Sequence, residues 1–220
     1  MTIVDLKQDN ISGAYEILTK AYIIFASFLR GRNFSAPGFK KELKNFGLAL
    51  IKSQPRMAPV YNLVNYIFNQ YAENPDHIML KMEQFKKQLD ESQRLVVDFG
   101  RNLILAKKRL CTYSRSSLVM KLLATLKNPE KYEIWLTESR PVCEGKIAAR
   151  ELCHLGFHVN LLVDAAMKKA IERCDAVLVG CDAFSQKFFT NKIGTFALAL
   201  LAKEHGKPIY SLSQNSKFLP

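Results

Sequence analysis

The 220-residue chain carries 32 Lys+Arg against 20 Asp+Glu, a formal net charge of +12, and 48% of it is apolar. That apolar share excludes a disordered chain and allows one domain or two small ones, each with a core. No apolar run approaches the roughly 18 residues of a membrane-spanning helix, and the start, MTIVDLKQDN, lacks the basic-then-apolar order of a signal peptide. The five cysteines (Cys111, Cys143, Cys153, Cys174, Cys181) are scattered and form no CxxC pair. They read as reduced thiols of a cytoplasmic protein. Basic residues come in short groups such as Lys40-Lys41 and Lys107-Lys108-Arg109. This fits a solvated basic surface or a surface for nucleic acid or an acidic partner. Nucleic acid has only the charge in its favour and is not the expected partner.

In chain order, the first hundred residues read as helices. Ala14, Ile17, Leu18, Ala21, Tyr22, Phe25, Phe28 and Leu29 form one apolar face after Ser12-Gly13. A second face, Phe39, Leu43, Phe46, Leu50 and Ile51, stops before Pro55, and a third runs from Val60 to Tyr71. Beyond Asn74-Pro75 comes a long helix with the stripe Ile78, Met82, Phe85, Leu89, Ser92, Val96, Phe99, Leu103. Its four-three steps make a heptad seam interrupted at Ser92, which suits a bundle spine or a coiled-coil partner surface.

After Lys107-Lys108 the pattern alternates. Strands are expected over 110–113, 134–136, 159–163, 176–179 and 209–212. Helical segments are expected over 119–126, 147–155 and 165–171, and from Gly194-Thr195 to Gly206. This predicts an α/β fold: a helical N-terminal domain over 1–107, then a Rossmann-like parallel sheet covered by helices over 108–220.

Ligands of open parallel sheets bind beyond the carboxyl ends of the strands. Those ends carry Ser114-Arg115-Ser116-Ser117, then Thr137-Glu138-Ser139-Arg140-Pro141, then Asp164, then Asp182. Asn191 and Lys192 precede the last helix, whose free N–H groups suit an anion such as phosphate. Plainer uses stand beside these. Ser116 or Ser117 can cap a helix, Arg140 can pair with Glu138, and Asp164 can cap the helix after it. No Walker loop or dinucleotide glycine motif is present. Neither a metal nor a cofactor is expected, because His154 and His158 flank a helix-to-strand turn and Cys153 alone does not complete a site.

The stretches LCTYSRSSLV, LTESRPVCEGKIAAREL, VNLLVDAA, VLVGCDAF and NKIGTFALALLAKEHGKPIYSL resemble a known superfamily. It is shared by the alpha, beta and delta subunits of eukaryotic initiation factor 2B and two aldose–ketose isomerases, acting on methylthioribose 1-phosphate and ribose 1,5-bisphosphate. The first half is similar through ISGAYEIL and QPRMAPVYNLVN. The resemblance implies a helical domain before a Rossmann-like one, with oligomers, here a homodimer, formed through the latter. It also implies that Asp182 falls on the isomerases' catalytic aspartate and Ser114 on their catalytic cysteine. Asn191, Lys192 and Arg140 fall on substrate-holding positions, and Arg115 adds a guanidinium at the same strand ends.

The departures have chemical weight. Ser12 replaces an arginine, Glu144 replaces a glutamine, and the loop from Asp182 to Asn191 is one residue short and lacks its glycine. A serine hydroxyl is a poorer acid or base near neutral pH than a thiol, and a carboxylate in place of a glutamine repels phosphate. The sequence therefore leads to a binding or regulatory protein like the initiation factor 2B alpha subunit, with a pocket for a phosphorylated sugar or nucleotide. The alternative is a divergent aldose–ketose isomerase acting on a ribose phosphate, with Asp182 and Ser114 (or a water) moving the proton.

Overall fold

The computed structural model describes residues 1–219, and the chain divides into two compact units. The first comprises Met1–Ser92, Asp182–Phe188 and the segment from Gln214; the second comprises Gln93–Cys181 and Phe189–Ser213.

In the first unit, helices α1 (Ile3–Gln8), α2 (Ala14–Leu29), α3 (Phe39–Ser53), α4 (Ala58–Glu73) and the start of α5 (Ile78–Ile104) enclose a core. Phe25, Leu43, Leu50, Leu63, Ile67, Ile78 and Met82 lie in that core. The apolar faces expected for α2 to α4 are the buried ones, and Pro55 and Pro75 punctuate the chain just beyond α3 and α4. Helix α1 escapes a periodicity search because it is six residues long and buries only Leu6. A capping box holds it, with Thr2 and Asp5 satisfying each other's backbone N–H.

The heptad seam of α5 holds only through its first half. Ile78, Met82 and Leu89 are buried, but Phe99 and Leu103 are 70% and 50% exposed, and the buried positions become Val97, Gly100 and Ile104. A straight helix turns every 3.6 residues, so its inward stripe drifts off a 3.5-residue repeat. Ser92 sits at the slip for a local reason. Its hydroxyl donates to the Leu89 carbonyl (2.9 Å) and accepts from Gln214 Nε2 (2.8 Å).

The second unit is built on a five-stranded parallel sheet: β1 (Arg109–Tyr113), β2 (Glu133–Thr137), β3 (His158–Leu162), β4 (Ala176–Val179) and β7 (Ile209–Ser211). Two two-residue strands, β5 (Ala183–Phe184) and β6 (Phe189–Thr190), lie outside it. The sheet order is β3-β2-β1-β4-β7, all parallel. Helices α6 (Ser117–Ala124), α7 (Glu144–His154), α8 (Met167–Arg173) and α9 (Thr195–Glu204) connect the strands.

Strand alternation divides the core in two. Leu110, Ile134, Leu136, Ala176 and Leu178 pack with Leu118, Leu122, Ala148 and Leu152 of α6 and α7. The intervening Cys111, Trp135, Val177 and Val179 pack with Ala170, Ile171, Leu198 and Ala202 of α8 and α9. A sheet covered on both faces explains why β4 reads as a continuous apolar run. The chain runs from β1 through β2 to β3 on one side, then returns to place β4 on the other flank of β1. The carboxyl ends of β1 and β4 therefore meet at a topological switch point.

Candidate functional site

The backbone at the strand ends is built in sparsely populated conformations. Of the non-glycine residues described, four have positive φ, and three of these are Ser114 (66°), Ser139 (62°) and Cys143 (63°). Left-handed backbone in residues with a Cβ is costly, and it clusters where surrounding structure fixes a functional geometry. Here Ser139, fully buried, is that fixing point. Its hydroxyl accepts from Ser114 N (2.9 Å) and donates to the Thr137 carbonyl (3.2 Å), tying the end of β1 to the end of β2.

Asp164, after β3, holds the same loop. Its carboxylate accepts from the Thr137 hydroxyl, from Ser139 N (2.9 Å) and from Arg140 N (2.7 Å). It thus pins a neighbouring strand's loop through its side chain. Burial pushes the Asp164 carboxyl up, but the Thr137 hydroxyl, the two backbone N–H groups and Lys192 together outweigh it, and its pKa lies below the usual value. A depressed folded-state pKa gives stability that is present above the unfolded-state value and is lost as pH falls through the folded one. Asp164→Asn is therefore expected to cost about 2 kcal/mol at pH 7. The gap between wild type and variant in urea melts should close as pH drops below about 4. A gap unchanged at acid pH would show that the charge of Asp164 is not what holds the loop.

Glu144 opens α7, 7% exposed, and receives two of the predicted site residues. Ser114 Oγ donates to its Oε1 (2.7 Å), and Lys192 Nζ lies 2.6 Å from the same oxygen. The Lys192 and Glu144 side chains are 15% and 10% exposed, so this is a largely desolvated ion pair. Tyr113 donates to the Ile193 carbonyl (2.7 Å). Its own hydroxyl is pushed up to about 12 by burial and then by the charges of Asp164 and Glu144.

The other predicted residues are placed differently. Asn191 Nδ2 donates to Thr195 Oγ1 (3.1 Å), which donates in turn to the Lys192 carbonyl (2.6 Å), ordering the entry to α9. Arg115 Nε donates to Glu151 on α7 (3.0 Å). Arg140 is exposed and directs its guanidinium to Cys143 Sγ (3.7 Å), while Glu138 pairs with Lys146 (3.2 Å). Ser116 caps α6. Asp182 is half-buried, two residues past Gly180, and opens the 182–188 segment of the first unit. Gly180 leaves room where a Cβ would lie 2.7 Å from Ser116 Oγ.

The model of the initiation factor 2 subunit family matches residues 10–220. The ribose 1,5-bisphosphate isomerase of Archaeoglobus fulgidus is 28% identical over 188 residues, which cover 83% of this chain and 60% of that protein. The chain thus spans less than two thirds of that relative. A Pyrococcus horikoshii protein described as eIF-2B subunit 2-like is 28% identical over 218 residues, 98% of this chain and 78% of its own. The crystal structure of translation initiation factor eIF-2B from Pyrococcus horikoshii OT3 superposes with a TM-score of 0.89 at 27% identity, covering 99% of this chain and 78% of that one. The tetrameric eIF2B beta2-delta2 complex from C. thermophilum shares the fold, with a TM-score of 0.79 at 18% identity over 99% of this chain and 77% of that one.

Proposed function

Because the chain belongs to the initiation factor 2 subunit family, we propose that it is a binding and regulatory protein of the initiation factor 2B kind. Its strand-end pocket would take a phosphorylated sugar or nucleotide. The observation that carries this reading is the bridge from Ser114 through Glu144 to Lys192. An isomerase needs an acid or base with a pKa near the working pH. Ser114 offers a hydroxyl that is already donated to a carboxylate. Arg115, Arg140, Asn191 and Lys192 are the candidate phosphate holders, and Asp182 the partner of a hydroxyl or base edge.

The second reading is a divergent aldose–ketose isomerase, favoured by the 28% identity to the Archaeoglobus fulgidus enzyme. There Asp182 would move the proton, with Ser114 or a water replacing the family's thiol. Incubation with ribose 1,5-bisphosphate and methylthioribose 1-phosphate separates the two. No ketose is expected, while a phosphorylated ligand raises the melting temperature. Turnover that Asp182→Asn abolishes would replace the first reading with the second.

The protein would act in the cytoplasm as a homodimer formed through its sheet-bearing half. Ile193, Phe196 and Leu200 support that interface, exposing 75%, 77% and 53% of their surfaces around α9. Sedimentation at micromolar concentration should give a dimer, and Phe196→Glu a monomer. A wild-type monomer would remove the homodimer from the proposal. Among the described residues, no helix is long and apolar enough to cross a membrane.

A further inference from the structure

Glu144 divides its two oxygens unequally. Oε1 accepts from both Ser114 Oγ and Lys192 Nζ, whereas Oε2 is buried and has no hydrogen-bond partner among the described residues. A buried carboxylate oxygen left without a donor is unfavourable, so this atom calls for an O–H or N–H from a ligand. The lysine that would attract an anion is already satisfied by an internal one. Asp164 also draws on the Lys192 charge, so two carboxylates stand against one ammonium here. Arg115 Nε donates to Glu151 and Arg140 Nη1 to Cys143 Sγ. A phosphate arriving at Lys192 would have to displace Glu144 and then lie against its charge.

We propose that Glu144 is a specificity-determining residue: its carboxylate occupies the anion position on Lys192, so this end of the pocket takes hydroxyl or N–H donors and rejects phosphate. This rests on the binding role proposed above, removes Lys192 from its phosphate holders and narrows its ligand class. The ligand is a sugar or nucleoside with at most one phosphate, held away from Lys192, and presenting a donor to Glu144 Oε2. Bisphosphorylated sugars are disfavoured. Ser114 contributes by orienting Glu144, which accounts for a hydroxyl at that position.

Isothermal titration tests this with three probes: inorganic phosphate, ribose 5-phosphate and ribose 1,5-bisphosphate. Wild type is expected to bind the bisphosphate no more tightly than the monophosphate. Glu144→Gln should bind phosphate and the bisphosphate at least tenfold more tightly, and adding Lys192→Met should remove that gain. Equal phosphate affinity in wild type and Glu144→Gln overturns the assignment, as does a gain that survives loss of Lys192. Glu144→Ala serves if the glutamine variant does not fold. If no sugar phosphate binds wild type but Glu144→Gln gains Lys192-dependent phosphate affinity, the binding role falls and the specificity assignment stands.

Discussion

Gly145→Ala is expected to be among the most damaging single substitutions in the sheet-bearing unit, costing about 3 kcal/mol or more, at the top of the range for overpacking. A Cβ on Gly145 would lie 1.9 Å from the Thr137 carbonyl oxygen and 2.9 Å from the Glu138 carbonyl carbon. Both are backbone atoms at the end of β2, so no rotamer change relieves the clash. Intrinsic helix preference predicts the opposite sign, since alanine is favoured over glycine inside a helix by about 1 kcal/mol. Destabilisation in urea melts therefore isolates the close approach. Gly31→Ala is the control: φ there is +71°, but nothing lies within 4 Å of the built Cβ. It should cost only the backbone strain, about 1–2 kcal/mol. A Gly145→Ala protein as stable as wild type would mean that α7 can retreat from β2. The position of Glu144 would then not be fixed by packing.

This contact shows why the sequence made some parts of the molecule legible and left others hidden. Helices α2 to α4 were readable because each buries one continuous face and ends near a proline. Strand β4 was readable because it is buried on both sides. In α5 the heptad spacing led one residue astray from Val96 onward, because the buried stripe of a straight helix follows 3.6 residues. The helical segment expected over 119–126 runs over Ser117–Ala124 instead, with Thr125 ending it.

At the site, Ser114 and Lys192 could be found from their places at a strand end and before a helix. The resemblance marked Glu144 as a carboxylate that repels phosphate, but its partners could not be read from its local sequence. It looks like an ordinary acidic residue in a helix's first turn, where the dipole favours a negative charge. Its partners lie 30 and 48 positions away, and only the β1-β4 switch brings them to it. Asp164 misled in the same manner. A local cap was the simplest reading, yet its carboxylate reaches a loop more than 20 residues earlier because β2 and β3 are neighbours.

Lys192→Met is expected to destabilise the protein by about 3–5 kcal/mol, the cost of removing one member of a buried ion pair. For a chain of this size that lowers the melting temperature by roughly 10 °C. Methionine keeps the unbranched length of the lysine stem, so lost packing contributes little. What remains is Glu144, 7% exposed, with Oε2 already lacking a partner and Oε1 reduced to the Ser114 hydroxyl. The decisive comparison is the double variant. Lys192→Met with Glu144→Gln removes both charges while keeping a side chain that can accept from Ser114. Much of the loss should therefore be recovered, giving a coupling of about 1–3 kcal/mol in a double-mutant cycle. Additive effects would mean that the two charges are separately solvated, and the buried bridge would lose its energetic meaning. A recovery complete enough to match wild type would mean that the ion pair adds no net stability. Its retention would then have to be explained by the specificity proposed for Glu144.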